Sequence, residues 1–125
     1  MEIVAVVTVV ALLEYQWLAF RCGRARGQYG VEAPAVSGHE IFERHFRVQQ
    51  NTLEQLVVFL PALWLAARFA NPLLAAGLGV VFIVGRLVYA TSYVRDPSSR
   101  GTGFLLTFVP NVLLLLAGLV GAVLP

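Results

Sequence analysis

Charge is scarce in this sequence. Asp, Glu, Lys and Arg together make 13% of its 125 residues, about half the ~25% usual in soluble domains. Lysine is absent altogether: all nine basic residues are arginine. With a formal net charge of only +2, the chain lacks the dense basic face that nucleic-acid binding needs, so no nucleic acid is expected as a partner. The single cysteine, Cys22, excludes an internal disulfide. No His/Cys cluster offers a metal site, and His39 and His45 stand at a spacing that matches no ligand motif. Internal repeats, heptads and low-complexity tracts are missing too. The first residues, Met1-Glu2, carry no basic n-region, so no cleaved signal peptide is expected.

Apolar side chains fill the space that charge leaves, at 58% of the chain. A small domain buries only ~60–70% of the surface its unfolded chain exposes, which is too little to hide such a composition from water. A soluble enzyme, a disordered tail and a disulfide scaffold are therefore excluded, and a membrane protein is expected. Four apolar segments follow. From Gly101 to Pro125 no residue is charged, long enough for a spanning helix of ~20 residues, with Pro110-Asn111 inside it. The stretch from Phe69 to Gly85 is uncharged and opens on Asn71-Pro72, a turn leading into a helix. The segment before it holds Pro61, and the first runs from Ile3 to Phe20. The sequence predicts one all-α membrane domain over 1–125, a bundle of four transmembrane helices near 3–20, 48–69, 72–93 and 103–124. A long loop, 21–47, joins the first two.

The first and third connections hold most of the arginines. The positive-inside rule makes that side cytoplasmic and turns both termini outward. The missing lysine points to a bacterial inner membrane.

Ionisable groups within spans are costly, ~2.5–3.5 kcal/mol each on insertion scales, and normally face the bundle interior. Glu14, Glu54 and Arg86 are of this kind. Arg47, Gln50, Asn51 and Glu54 form one helical stripe, and Arg86, Tyr89 and Tyr93 form a second at the same end of the third span. Two meanings stay open. Glu54 could pair with Arg86 and Arg47 with Glu43, as ion pairs that orient helices. Alternatively, the two stripes could line a polar pocket just inside the membrane. Its guanidiniums would take carboxylates bidentately, Glu54 would accept from an ammonium, and Gln49 and Asn51 would read peptide groups. Glutathione, with two carboxylates, an amine, two peptide links and a thiol, fits that set.

The stretch Phe42-Glu-Arg-His-Phe-Arg-Val-Gln-Gln-Asn-Thr-Leu-Glu54 strongly resembles the signature of the MAPEG family, membrane-associated proteins in eicosanoid and glutathione metabolism. Gly85-Arg-Leu-Val-Tyr-Ala-Thr-Ser-Tyr93 resembles the family's second signature. The likeness covers nearly the whole chain and is nearest to the microsomal glutathione transferase and leukotriene-C synthase branch. It implies a homotrimer in the membrane lipid, with glutathione as co-substrate between neighbouring subunits near the cytoplasmic face, and no metal. By the resemblance Arg26, Arg47, Gln49, Asn51, Glu54, Tyr89 and Tyr93 match glutathione ligands. Arg100 matches the arginine that activates the thiolate, with Tyr89 and Tyr93 as supporting donors. Two positions depart from the pattern: Gln55 stands where leukotriene-C synthase-like members carry tyrosine, and Gly27 replaces a second arginine beside Arg26.

The implied activity is that of a detoxifying glutathione transferase, with glutathione peroxidase chemistry beside it, acting on a hydrophobic electrophile or lipid hydroperoxide. Two alternatives have sequence features of their own. The family also contains non-catalytic binders of lipid or glutathione, and Glu14 in a four-span chain is reminiscent of a small proton-coupled multidrug transporter.

Overall fold

Asn71 and Pro72 make the sharpest reversal in the chain. The Asn71 side chain accepts hydrogen bonds from the backbone of Leu73 and Leu74 at 2.8 and 3.1 Å, and Pro72 occupies the first helical turn, where its missing N–H has no consequence. The computed structural model describes residues 1–124. It consists of four long helices: α1 (Glu2–Tyr29), α2 (Glu40–Phe69), α3 (Pro72–Arg95) and α4 (Gly101–Val123), with a short 3-10 turn over Pro97–Ser99 before the last. All four are long and apolar enough to cross a membrane. α2 and α4 continue through Pro61 and Pro110.

The loop expected over 21–47 shortens to residues 30–39. Arginine is a good helix former, so α1 runs on through Arg21, Arg24 and Arg26 until Gly30 takes the left-handed conformation that ends it, at φ 68°. On the other side His39 caps α2 by accepting from the Ile41 backbone, and Glu40 and Glu43 sit in the first turn, where the helix dipole favours negative charge. The membrane boundary limits where apolar residues end; it does not limit the helix. For the same reason α3 extends to Arg95 and α4 starts at Gly101.

α3 packs on both α2 and α4, α2 packs on α4, and α1 lies against α2 and α3. The main core is built from Val4, Val7 and Ala11 of α1, Phe59 and Leu63 of α2, Phe82 of α3 and Leu114 of α4. The Phe59 and Phe82 rings stack at 3.8 Å. Outward-facing Val6, Leu13, Val57, Leu73 and Leu119 are exposed, as lipid-facing side chains are.

α3 and α4 meet through two reciprocal glycines. Gly85 of α3 lies against the Leu106 backbone, and Gly103 of α4 lies against the backbone of Tyr89. Small residues at such crossings let helix backbones approach in lipid. A Cβ at Gly103 would collide with main-chain atoms of Tyr89, which cannot rotate away as a side chain would. Gly103→Ala is expected to destabilise by about 3 kcal/mol or more, the upper end for overpacking. Gly101→Ala meets open space and serves as the control. Thermal unfolding of both variants in detergent tests this, and equal midpoints would refute it.

Candidate functional site

Arg86 is fully buried at 0% exposure, and its surroundings organise the polar end of the bundle. Its Nη2 donates to Asn51 Oδ1 at 2.7 Å and Thr52 Oγ1 at 2.8 Å, and its Nη1 donates to Thr107 Oγ1 at 3.2 Å. The guanidinium also lies 4.3 Å from the centre of the Tyr89 ring, within cation–π range. Each threonine gives its proton to a carbonyl one turn back in its own helix, Thr52 to Val48 and Thr107 to Gly103, so each oxygen is left to accept from Arg86. One side chain of α3 thereby ties α2 and α4 together. From α1 comes Glu14, buried, with one carboxylate oxygen lacking a hydrogen-bond partner.

Neither ion pair considered from the sequence is present. Glu54 is exposed, and the partners of Arg86 are Asn51 and the two threonines. Arg47 is exposed, and Glu43 instead accepts from the Gly38 backbone at 3.1 Å. Among the described residues the ion pair present is Arg44–Glu40, one helical turn apart. Neither Thr52 nor Thr107 stands out in the sequence. A threonine in an apolar helix ordinarily bonds back to its own turn, and nothing along the chain pairs position 107 with position 86.

Above Arg86, toward the arginine-rich end, Tyr89 is buried and stacks on half-buried Tyr93 at 5.6 Å. Arg47 lies one turn before Asn51 on α2, and Arg100 stands at the start of α4, one turn before the Gly103–Tyr89 crossing. Arg100 is exposed, and its Nη1 donates to the Pro97 carbonyl at 2.8 Å. The turn before it is held by Asp96, whose carboxylate accepts from the Ser98 hydroxyl at 2.9 Å and the Ser98 backbone at 3.1 Å. Those bonds hold the Asp96 carboxyl below its ordinary pKa. Because the folded value is the lower one, this stabilisation is complete above the unfolded pKa of ~3.9 and is lost only as pH falls through the folded value. The turn that carries Arg100 is thus set throughout the neutral range. An open groove at this point is lined by Ser98, Arg100, Gly101 and Phe104, and the exposed, stacked Phe104 and Phe108 rings continue it down α4 toward the apolar zone.

Arg47, Asn51, Tyr89, Tyr93 and Arg100 therefore lie at one end of the bundle, with Glu54 on the Arg47 stripe. Two residues stand apart. Arg26 donates to the carbonyls of Ala35, at 2.7 Å, and Val31, at 3.4 Å, and lies 4.7 Å from the Phe42 ring centre, so it pins the loop. Gln49 follows Arg47 by two positions, about 200° round the helix, and shares its face with Phe42, two turns away. Arg26 and Gln49 thus lie on the side of α2 opposite the Arg47 stripe. Among the described residues, no group of three His, Cys, Asp or Glu side chains could hold a metal ion.

The chain resembles known proteins over almost its full length. Human microsomal glutathione S-transferase 2 is 38% identical over 119 residues, covering 95% of this chain and 81% of that protein. An uncharacterized protein of Synechocystis is 45% identical over 115 residues, 92% of this chain and 84% of its own length. Mouse leukotriene C4 synthase is 35% identical over 100 residues, 80% and 67% of the two chains. The model of the MAPEG family matches residues 4–120. With four apolar helices and that match, this chain is a multi-pass integral membrane protein and belongs to the MAPEG family.

Proposed function

We propose that this protein is a membrane-bound glutathione transferase that ionises the glutathione thiol and presents it to a hydrophobic electrophile or lipid hydroperoxide. The observation that carries this reading is the juxtaposition, at one end of the bundle, of Arg86 against the Tyr89 ring, Tyr93 stacked on Tyr89, and the groove of Arg100 that runs into the aromatic face of α4. The relatives' glutathione-related names support it.

The roles follow from chemistry. Arg47 takes a carboxylate, Glu54 an ammonium, and Asn51 a peptide group. The Asn51 oxygen is occupied by Arg86, so its amide N–H groups remain to donate. A free thiol with pKa ~8.5 is only a few per cent ionised at pH 7, and the thiolate is the nucleophile. Lowering that pKa by two units takes ~2.7 kcal/mol of differential interaction, which a cation beside sulfur in a partly dry site can supply. Arg100 is that cation, with Tyr89 and Tyr93 as supporting donors. In conjugation the sulfur forms a bond to carbon while the displaced group leaves with the electron pair and takes up a proton. With a hydroperoxide, the thiolate attacks the distal oxygen, the O–O bond breaks and the alcohol departs protonated. A second glutathione then resolves the sulfenic acid to disulfide and water.

Arg26 and Gln49 cannot reach the Arg47 stripe of their own subunit, because α2 stands between them. They serve a neighbouring subunit's site in a homotrimer, and each site draws on two chains. The arginine-rich end faces the cytoplasm of a bacterial inner membrane, where glutathione is dissolved.

Titrating purified protein in detergent with glutathione while following thiolate ultraviolet absorbance tests the reading. A saturable thiolate band is expected. Glutathione binding without thiolate would make the protein a non-catalytic binder, and no binding would overturn the proposal.

A further inference from the structure

A second polar concavity lies on the α1 side of α2, opposite the Arg47 stripe and one helical turn from Gln49. It is a cleft of about 170 Å³ between the last turns of α1 and the first turns of α2, lined by Arg21, Arg24, Ala25, Gln28 and His45. No carboxylate lines it. Arg44, nearby on α2, is already paired with Glu40, whereas Arg21, Arg24, Gln28 and His45 have no side-chain hydrogen bond to any described residue. The cleft is thus a concave set of free donors with net positive charge. Oxyanions answer that chemistry, and guanidiniums bind phosphate in a bidentate way.

The same helix face says where the anion comes from. Leu13, Trp17, Phe20, Arg21, Arg24 and Gln28 fall on one stripe of α1 at helical spacing. Its lower half is apolar and outward-facing, with Leu13 61%, Trp17 44% and Phe20 67% exposed. Arg21 marks the change, its guanidinium 4.9 Å from the Trp17 ring centre. Tryptophan belongs at the headgroup level of a bilayer. A face that passes from aliphatic through tryptophan to paired arginines has the polarity profile of a phospholipid, from acyl chain to phosphate. Arg26 points to the other side of α1, into its own loop.

We infer that the cleft between α1 and α2 is a binding site for the phosphate of an anionic membrane phospholipid, with Arg21 and Arg24 as the principal ligands, Gln28 and His45 as further hydrogen-bonding groups, and Leu13, Trp17 and Phe20 as the acyl-chain track. The inference needs only the membrane location and uses none of Arg47, Asn51, Glu54, Tyr89, Tyr93 or Arg100.

Native mass spectrometry of the detergent-solubilised protein with phosphatidylglycerol, phosphatidylcholine or inorganic phosphate tests it. Phosphatidylglycerol is expected to be retained in preference to phosphatidylcholine, and inorganic phosphate not to be retained alone. The double substitution Arg21→Ala/Arg24→Ala should weaken phosphatidylglycerol retention on the order of tenfold to thirtyfold, at roughly one headgroup interaction per arginine. Arg95→Ala, outside the cleft, should leave it unchanged. The comparison of the three ligands on the unaltered protein does not depend on the variant folding. Equal retention of both lipids, or loss in the Arg95 control to the same degree, would reduce the feature to general charge and overturn the site. Retention of free phosphate would make the ligand a soluble one. Dissociation of the oligomer by the double substitution, with lipid retention intact, would make the cleft a subunit contact.

Discussion

Arg100→Ala is expected to lower the amount of bound thiolate at pH 7 by about 25-fold. A thiol whose pKa is held near 6.5 is three-quarters ionised at that pH, and one returned to ~8.5 is about 3% ionised. The loss of turnover at pH 7 will be smaller, about 2.5- to 4-fold, because the more basic thiolate of the variant is also the better nucleophile, with a Brønsted slope of ~0.4–0.5. The two enzymes therefore differ most clearly in how they respond to pH. The unaltered protein should show a nearly flat rate above neutral pH, whereas the variant's rate should climb through pH 8.5 and overtake it, by about 6- to 10-fold at full ionisation. Glutathione affinity should stay within about threefold, since Arg47, Asn51 and Glu54 are untouched and Arg100 has only the Pro97 carbonyl as its protein partner. Arg100→Lys, which keeps the charge but not the planar fork, should restore part of the band. A thiolate band of full height in Arg100→Ala would move the activating role to another cation.

Arg86→Met should cost about 3–5 kcal/mol of stability, the range for removing one side of a buried charged arrangement. Three acceptors lose their donor at once, Asn51, Thr52 and Thr107. Glu14 is left buried with one carboxyl oxygen still lacking a hydrogen-bond partner. The informative partner is the double substitution Glu14→Leu/Arg86→Met. The double variant removes the orphaned carboxyl but restores no donor to Asn51, Thr52 and Thr107, so it should recover only part of the loss in thermal unfolding. It should not recover function in the same measure. Without Arg86 the Asn51 amide is free to turn over, so weaker glutathione binding is expected even where the fold is regained. Additive losses in the double-mutant cycle would show that Glu14 and Arg86 do not act together.

The four spans were legible because lipid-facing sequence has a simple signature, uncharged runs of sufficient length. Helix ends were not, since hydropathy reports the solvent around a segment and says nothing of its backbone. Arg21 to Tyr29 looked like loop because it is charged, yet it is helix until Gly30. Arg86 was recognisable as a charge out of place, and an assignment of Glu54 as its partner was one of the two meanings left open. That assignment failed on rotation: Asn51, three positions earlier on α2, is the residue turned to α3, and Thr107 comes from a helix whose packing no linear pattern records. Gln49 shows the same limit inside a motif. It lies beside the Arg47 stripe in sequence and across the helix from it in space. The family match, resting on long stretches of residues rather than on any one face, is insensitive to these errors.

The position of Arg100 at the head of the exposed Phe104 and Phe108 stack has a consequence for how the protein would be assayed and for what limits it in a cell. On the proposed reading the thiol arrives from water, and its partner arrives dissolved in lipid. Neither has to enter the other's phase, because the two meet at a boundary that the protein itself builds. The quantity that governs the rate is then the mole fraction of electrophile within the bilayer, not its concentration in the suspension. Adding inert lipid or detergent dilutes the substrate on that surface and slows the reaction, although nothing in the aqueous solution has changed.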